Sequence, residues 1–334
     1  MQDIARRIVA PGKGILAADE STGTIAKRFA SIEVESTPES RRAYRELLFT
    51  ADGIGDYIGG VILFDETLRQ AATDGTPFPK VLEANGVVPG IKVDSGAKDL
   101  AGFPGEKVTE GLDGLRERIS EYHGLGARFA KWRAVIDIGE GIPTPNCIKA
   151  NAHALGRYAA LCQEGGLVPI VEPEVLMDGA HDLERCYEVT SSVLRATFAE
   201  LADARVDLSA TLLKPNMVIP GKGSADQVGP SEIAEATVKC FTETVPAEIP
   251  GIVFLSGGQS EAEATANLNA MNAMGSHPWE LSFSYGRALQ QSALAAWKGD
   301  PANVAAGQAA FMHRAHLNGL ARSGEYTPDM EQVA

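Results

Sequence analysis

Ala210-Thr211-Leu212-Leu213-Lys214-Pro215-Asn216 places an amine at the end of a mostly apolar run that a proline then stops. Proline has no N–H to give a sheet ladder, so this reads as a strand finishing at Lys214, with its side chain at a sheet end where a pocket can form. A strand-end lysine either reaches solvent or, kept from water or beside another cation, has its ammonium form disfavoured and becomes a nucleophile toward carbonyls.

The same pattern recurs along the chain. Gly14 to Asp19 is a short apolar run ending in a carboxylate, and Tyr57 to Phe64 is a buried run closed by Asp65-Glu66-Thr67. Val88 to Asp94 carries Lys92 and Asp94 two apart, hence on one strand face, and Ala127 to Arg133 carries Lys131 and Arg133 in the same relation. Leu167 to Glu174 ends in Glu172 and Glu174, Ile252 to Leu255 runs into Ser256-Gly257-Gly258, and Leu281 to Arg287 closes the set.

Strand ends thus fall near Asp19, Phe64, Lys92, Lys131, Glu172, Lys214, Ser256 and Ser284. They lie roughly thirty to forty-five residues apart, each followed by a helical segment, as repeated β–α units require. Thr37 as an N-cap with Pro38 at the first helical position opens a helix to about Phe49. Helical patterns also cover Leu115 to Gly124, Asn151 to Gly165, His181 to Leu201, Ala288 to Trp297 and Asn303 to Ala321, with a short helix at Ile4 to Ile8. Pro143 and Pro145 read as a break, Ala97 to Gly114 as a loop, and Gly324 to Ala334 as a loose tail.

Eight such units predict an α/β fold, a single-domain (β/α)8 TIM barrel over residues 1–334, with its active site at the strand C-termini. A doubly wound open sheet is the alternative, and it lacks a GxGxxG after the first strand.

Composition bounds the function. The chain has 44% hydrophobic and 22% charged residues, that of an ordinary globular protein, and no apolar run approaches a membrane span of ~18 residues. A formal charge of −14 argues against nucleic-acid partners and requires any anionic ligand to find a local cationic pocket. Cys147, Cys162, Cys186 and Cys240 show no CxxC or metal-finger spacing and read as free thiols. The N-terminus has no secretory apolar core, so a cytoplasmic location is expected.

In a barrel the polar strand ends converge, so Asp19, Lys92, Lys131, Arg133, Glu172, Glu174, Lys214 and Arg287 are expected to share one cavity mouth. Lys131 is the neighbour expected to depress the Lys214 amine, and Glu172 is placed for proton transfer. Ser256-Gly257-Gly258 offers backbone N–H groups to an anion, and the loop after strand eight adds Gly286 and Arg287, the usual phosphate site of a barrel. Ser21 and Thr24 either hold a second phosphate or cap a helix. His313 and His316 lack an acid ligand pattern, and no metal site or cofactor is expected.

The runs Gly12 to Gly23, Gly90 to Asp94, Ala130 to Arg133, Val171 to Glu174, Leu212 to Met217, Leu255 to Ser260 and Phe283 to Leu289, in this order, resemble class I fructose-bisphosphate aldolase from Ile4 to about Pro328. The resemblance implies that Lys214 forms a Schiff base with the ketose C2 carbonyl, that Glu172 is general acid and base, and that Asp19 and Lys131 assist carbinolamine formation and C–C cleavage, with Glu174 counted in the same catalytic group. It implies phosphate contacts from Ser256, Gly257, Gly286 and Arg287, with Ser21, Thr24 and Lys92 nearer the other phosphate, and Arg133 counted among the binding residues. It further implies sugar phosphates as small-molecule partners, no metal, and a homotetramer. Vertebrate-type members end in a tyrosine that helps protonate the enamine; this chain ends Met330-Glu331-Gln332-Val333-Ala334, Tyr326 matches an earlier tail position, and Ser95 stands where the family often has lysine.

Overall fold

The structure, a computed structural model, describes residues 1–332. Eight parallel strands close into a barrel in chain order: β1 Gly14–Ala18, β2 Ile58–Leu63, β3 Val88–Lys92, β4 Phe129–Ile136, β5 Val168–Val175, β6 Leu212–Leu213, β7 Gly251–Phe254 and β8 Glu280–Tyr285, with β8 pairing back to β1. The (β/α)8 reading therefore holds and the open sheet does not: a closed barrel leaves no edge strand.

Period-two alternation sorts each strand into an outer and an inner column. Outward-facing Leu16, Val61, Ile91, Trp132, Val171, Leu213, Ile252 and Phe254 pack with the surrounding helices in one large apolar cluster. Inward-facing Ile15, Ile62, Val88, Phe129, Val168, Ile170, Leu212 and Val253 form a second cluster with Ala5, Ile8 and Val9. The short helix Gln2–Ile8 thus stoppers the N-terminal end of the barrel. It sits close because β2 offers Gly59: a Cβ there would stand 2.1 Å from the Ile8 carbonyl oxygen. Fully burying Ile8 contributes about 1.5–3 kcal/mol.

The helix expected at Asn151 starts earlier, and the helix is Pro145–Glu164. The Thr144 hydroxyl accepts from the Cys147 N–H at 3.2 Å and Pro145 takes the first helical position, so the prolines mark a start and not a break. Thr37 and Pro38 do the same for Pro38–Phe49. The expected loop Ala97 to Gly114 contains a small antiparallel hairpin, Ala97–Asp99 with Lys107–Thr109. The tail is not loose over its described part. Tyr326 is buried, its N–H donates to Asn269 Oδ1 at 3.0 Å and its hydroxyl to Glu331 Oε1 at 2.7 Å, while Arg314, also buried, takes Glu331 as its ion-pair partner at 2.7 Å. A buried guanidinium needs such a partner, which is why the segment folds back. Val333 and Ala334 lie outside the described residues.

Candidate active site

Along the inner columns the residue type changes at a fixed height. Ile15 and Ala17 are followed by Asp19, Phe129 by Lys131 and Arg133, Ile170 by Glu172 and Glu174, and Leu212 by Lys214. Register makes the columns meet: Lys92 pairs with Lys131 across β3 and β4, and Arg133 with Glu172 across β4 and β5. The floor is apolar and the mouth is charged. β6 ends one residue before Lys214, whose N–H still donates to the Val171 carbonyl at 2.8 Å, so the ladder holds the lysine backbone up to the proline.

The mouth opens into a cavity of about 1100 Å³ lined by Asp19, Ser21, Thr24, Lys92, Lys131, Arg133, Glu172, Glu174, Lys214, Ser256, Gly257, Gly286 and Arg287. Every residue expected at the site is thus gathered in one place.

At its centre Glu172 bridges two ammonium groups, Lys214 Nζ at 3.2 Å from Oε1 and Lys131 Nζ at 3.3 Å from Oε2. Lys131 also lies 2.7 Å from Asp19 Oδ2. All three of Lys131, Glu172 and Lys214 are buried, so this is an alternating chain of charges shielded from water. Burial pushes the Asp19 carboxyl up, but Lys131, Lys214 and Lys92 together outweigh it and hold the group well below the usual carboxylate range. Burial would likewise lower Lys131, and Asp19, Glu172 and Asp94 overcome it, holding this ammonium well above its ordinary value. Asp19 and Lys131 are both firmly ionised. Lys131 reaches Lys214 through the carboxylate between them, not by direct contact.

The flanking charges are paired as well. Glu174 takes the Arg133 guanidinium, and Lys92 Nζ lies 2.7 Å from Asp94 Oδ1 while donating to the Asp94 carbonyl at 2.8 Å. Asp94 Oδ2 accepts from the Arg133 main-chain N–H at 3.3 Å, so one carboxylate fixes the Lys92 ammonium and the Arg133 backbone, while Glu174 holds the Arg133 guanidinium. The sequence put Asp94 on the face of Lys92 without giving it this role. It also missed Glu20, which is buried and accepts from Arg28, from Arg45 at 2.5 Å and from Gln290 at 3.0 Å, anchoring the segment after β1. Arg45 and Gln290 are far away in the chain, and no local pattern announces them.

Two polar ends remain for anions. Ser21 occupies the N-cap position of the helix Thr22–Ala30, yet its side chain makes no capping bond and instead meets the Thr24 hydroxyl at 3.1 Å. Both hydroxyls line the cavity beside Lys27 and Arg28. At the other end Gly257 (φ +59°) and Gly258 (φ +105°) make a left-handed turn, and among the described residues neither N–H has a protein acceptor. Gly286 leads into the helix Arg287–Trp297, and Arg287 has no ion-pair partner among the described residues. The helix after Ser256 begins only at Glu261, capped by Ser260, so the glycine pair forms a turn ahead of the helix and not its first residues.

Among the described residues no three His, Cys, Asp or Glu side chains come together as a metal-ligand set. His316 is exposed, its ring tilted against that of Tyr57 with centroids 5.2 Å apart, whereas His313 is half-buried. No described helix is long and apolar enough to cross a membrane.

The profile of the family described as glycolytic, fructose-bisphosphate aldolase class-I, matches residues 1–334. A probable fructose-bisphosphate aldolase class 1 from Xanthomonas campestris pv. campestris is 60% identical over 327 residues, covering 98% of each chain. The cytosolic fructose-bisphosphate aldolase 5 of Arabidopsis thaliana is 59% identical, over 97% of this chain and 90% of its own. A solved structure of fructose-bisphosphate aldolase from Plasmodium falciparum, in complex with TRAP and a small-molecule inhibitor, superposes with a TM-score of 0.96 at 49% identity, over 98% of this chain and 94% of that one.

Proposed function

The chain belongs to the class I fructose-bisphosphate aldolase family, a lysine Schiff-base lyase that cleaves fructose 1,6-bisphosphate to dihydroxyacetone phosphate and glyceraldehyde 3-phosphate and runs the reverse condensation, and from that premise we propose how its own residues divide the work. The observation that carries the assignment is the 3.2 Å contact between Lys214 Nζ and Glu172 Oε1 at the foot of the cavity.

Attack on the C2 carbonyl needs a neutral amine. Glu172 takes the Lys214 proton, the freed lone pair adds to C2, and the same carboxyl returns the proton to the carbinolamine hydroxyl, which leaves as water. The iminium so formed is the electron sink. When a base removes the C4 hydroxyl proton, the C3–C4 bonding pair moves into the iminium, the aldehyde departs, and the enamine is protonated at C3 before hydrolysis releases the ketone. Asp19, held ionised by Lys131, keeps a fixed negative charge beside the developing cations, and Lys131 holds Glu172 in place for both proton transfers. Glu174 and Asp94 act by positioning Arg133 and Lys92.

Two separate anion-binding ends favour a bisphosphate over a monophosphate. Ser256, Gly257, Gly286 and Arg287 serve one phosphate, while Ser21, Thr24, Lys92 and Arg133 serve the other. A cytoplasmic location and a homotetrameric assembly belong to the same reading; light scattering on the purified chain tests the assembly.

The deciding experiment is reductive trapping. Borohydride reduces an iminium to a stable secondary amine, so treatment with dihydroxyacetone phosphate should inactivate the enzyme and attach one reduced ligand to the Lys214 peptide. Label on Lys92 or Lys131 moves the nucleophile; no label on any lysine removes the covalent path.

A further inference from the structure

A cation outside the expected set reaches the same cavity. Lys222 lies eight residues past Lys214, in Gly221-Lys222-Gly223, and lines the cavity together with Gly257, Gly258 and Arg287. Its backbone is pinned. The N–H groups of Gly221, Lys222 and Gly223 donate to the carbonyls of His181, Met177 and Gly179 at 2.8, 2.8 and 2.7 Å, fastening the segment after β6 onto the segment after β5. The flanking glycines make this approach possible: a Cβ on Gly221 would stand 2.5 Å from the Gly179 carbonyl oxygen, and one on Gly223 at 3.0 Å. The long, rotatable stem of a lysine is thereby mounted on a fixed base.

That side chain extends over the glycine turn. A Cβ on Gly258 would meet Lys222 Nζ at 2.5 Å and Arg287 Nη2 at 3.4 Å, so both cationic nitrogens reach one point at the turn. Arg287 has no carboxylate partner among the described residues, and Lys222 has only the exposed Asp178 at 3.8 Å, beyond hydrogen-bond reach. Two positive charges brought together beside a turn whose N–H groups have no acceptor among the described residues repel one another until an anion arrives. Asp178 lines the cavity too, and an uncompensated carboxylate there would repel a phosphate; the Lys222 ammonium offsets it.

We infer that Lys222 is a phosphate-binding residue of this aldolase, closing the shell with Arg287 at the turn of Gly257 and Gly258. The inference rests on the sugar-phosphate reading of the cavity. Its ammonium contacts the phosphate oxygens while staying near enough to Asp178 to offset that carboxylate, without touching the carbons at which bonds are made and broken. It therefore contributes to binding throughout the reaction and not selectively to the transition state.

The test is calorimetric titration of inorganic phosphate into the wild-type protein, Lys222→Ala and Lys222→Arg, alongside steady-state cleavage of fructose 1,6-bisphosphate. Lys222→Ala should raise both the phosphate Kd and the KM by about five- to tenfold with kcat within about twofold, and Lys222→Arg should restore most of the loss. An unchanged Kd in Lys222→Ala, or a fall in kcat at constant KM, overturns the assignment. Wild-type protein that binds phosphate but does not cleave the bisphosphate would instead defeat the underlying reading, while the phosphate titration would still decide Lys222.

Discussion

Glu172 stands between Lys214 and Lys131, with one carboxylate oxygen 3.2 Å from the first ammonium and the other 3.3 Å from the second. The geometry lets a single carboxyl receive a proton from one lysine while the other fixes its orientation. Glu172→Gln keeps the shape and removes the proton acceptor. It should lower kcat by about 10²–10⁴-fold with little change in KM, the range for loss of a positioned acid–base group. Borohydride trapping of dihydroxyacetone phosphate should slow in parallel. A normal trapping rate with slow turnover would move the role of Glu172 to a later step.

Asp19 and Lys131 set a pH expectation. A carboxyl held below its unfolded value of about 3.9 adds stability that is present above that pH and lost as pH falls through the lower folded value. An ammonium held above about 10.4 adds stability that is present below that pH and lost as pH rises through the higher folded value. From about pH 5 to 9 the pair is therefore fully formed. Asp19→Asn should cost roughly 1–3 kcal/mol, Glu172 remaining as the second partner of Lys131, and the deficit should be flat across that window and shrink below about pH 4. Thermal melts of both proteins at a series of pH values measure it. A deficit already vanishing near pH 6 contradicts the depressed carboxyl.

Arg287 lines the cavity beside Gly257, Gly258 and Gly286, with no carboxylate partner among the described residues. Arg287→Ala should raise the KM for fructose 1,6-bisphosphate about tenfold or more, given ~1.5–3 kcal/mol for a charge-assisted contact. An unchanged KM places the phosphate elsewhere in the cavity.

The barrel was legible because its signal is local and repeated: an apolar run, a charged end, a helical segment. Each strand end reads the same way whatever it pairs with. The pairings were not legible, because they depend on register between distant strands. Asp19 and Lys131 meet from β1 and β4, and nothing near either residue specifies the other. The Pro145 helix start was missed although Thr144 and Pro145 repeat the Thr37 and Pro38 signal, because a neighbouring Pro143 suggested a break. The tail was misjudged because its polar composition hides the Arg314 and Glu331 pair.

The glycines of the inner column carry the last expectation. Gly60 and Gly90 lie on β2 and β3 next to the ring of Phe129, the bulkiest side chain of the barrel floor, and an added Cβ would stand 3.0 and 2.2 Å from it. Small residues there make room for one large ring, so the floor fills by alternation of size and not by uniform packing. Gly90→Ala forces the buried ring to move against Ile8, Ile62 and Val88, and overpacking of this kind costs about 1–3 kcal/mol. Gly124, the last residue of the helix Leu115–Gly124, has nothing within 4 Å of an added Cβ, so Gly124→Ala should be neutral or stabilise by up to about 1 kcal/mol. Denaturant melts of the two variants separate steric crowding from any general effect of replacing glycine. Adding Phe129→Leu to Gly90→Ala should recover part of the loss, because the shorter side chain yields the space the methyl needs. If the double variant is as unstable as the two single losses added together, the ring and the methyl do not compete, and the floor is packed by some other contact.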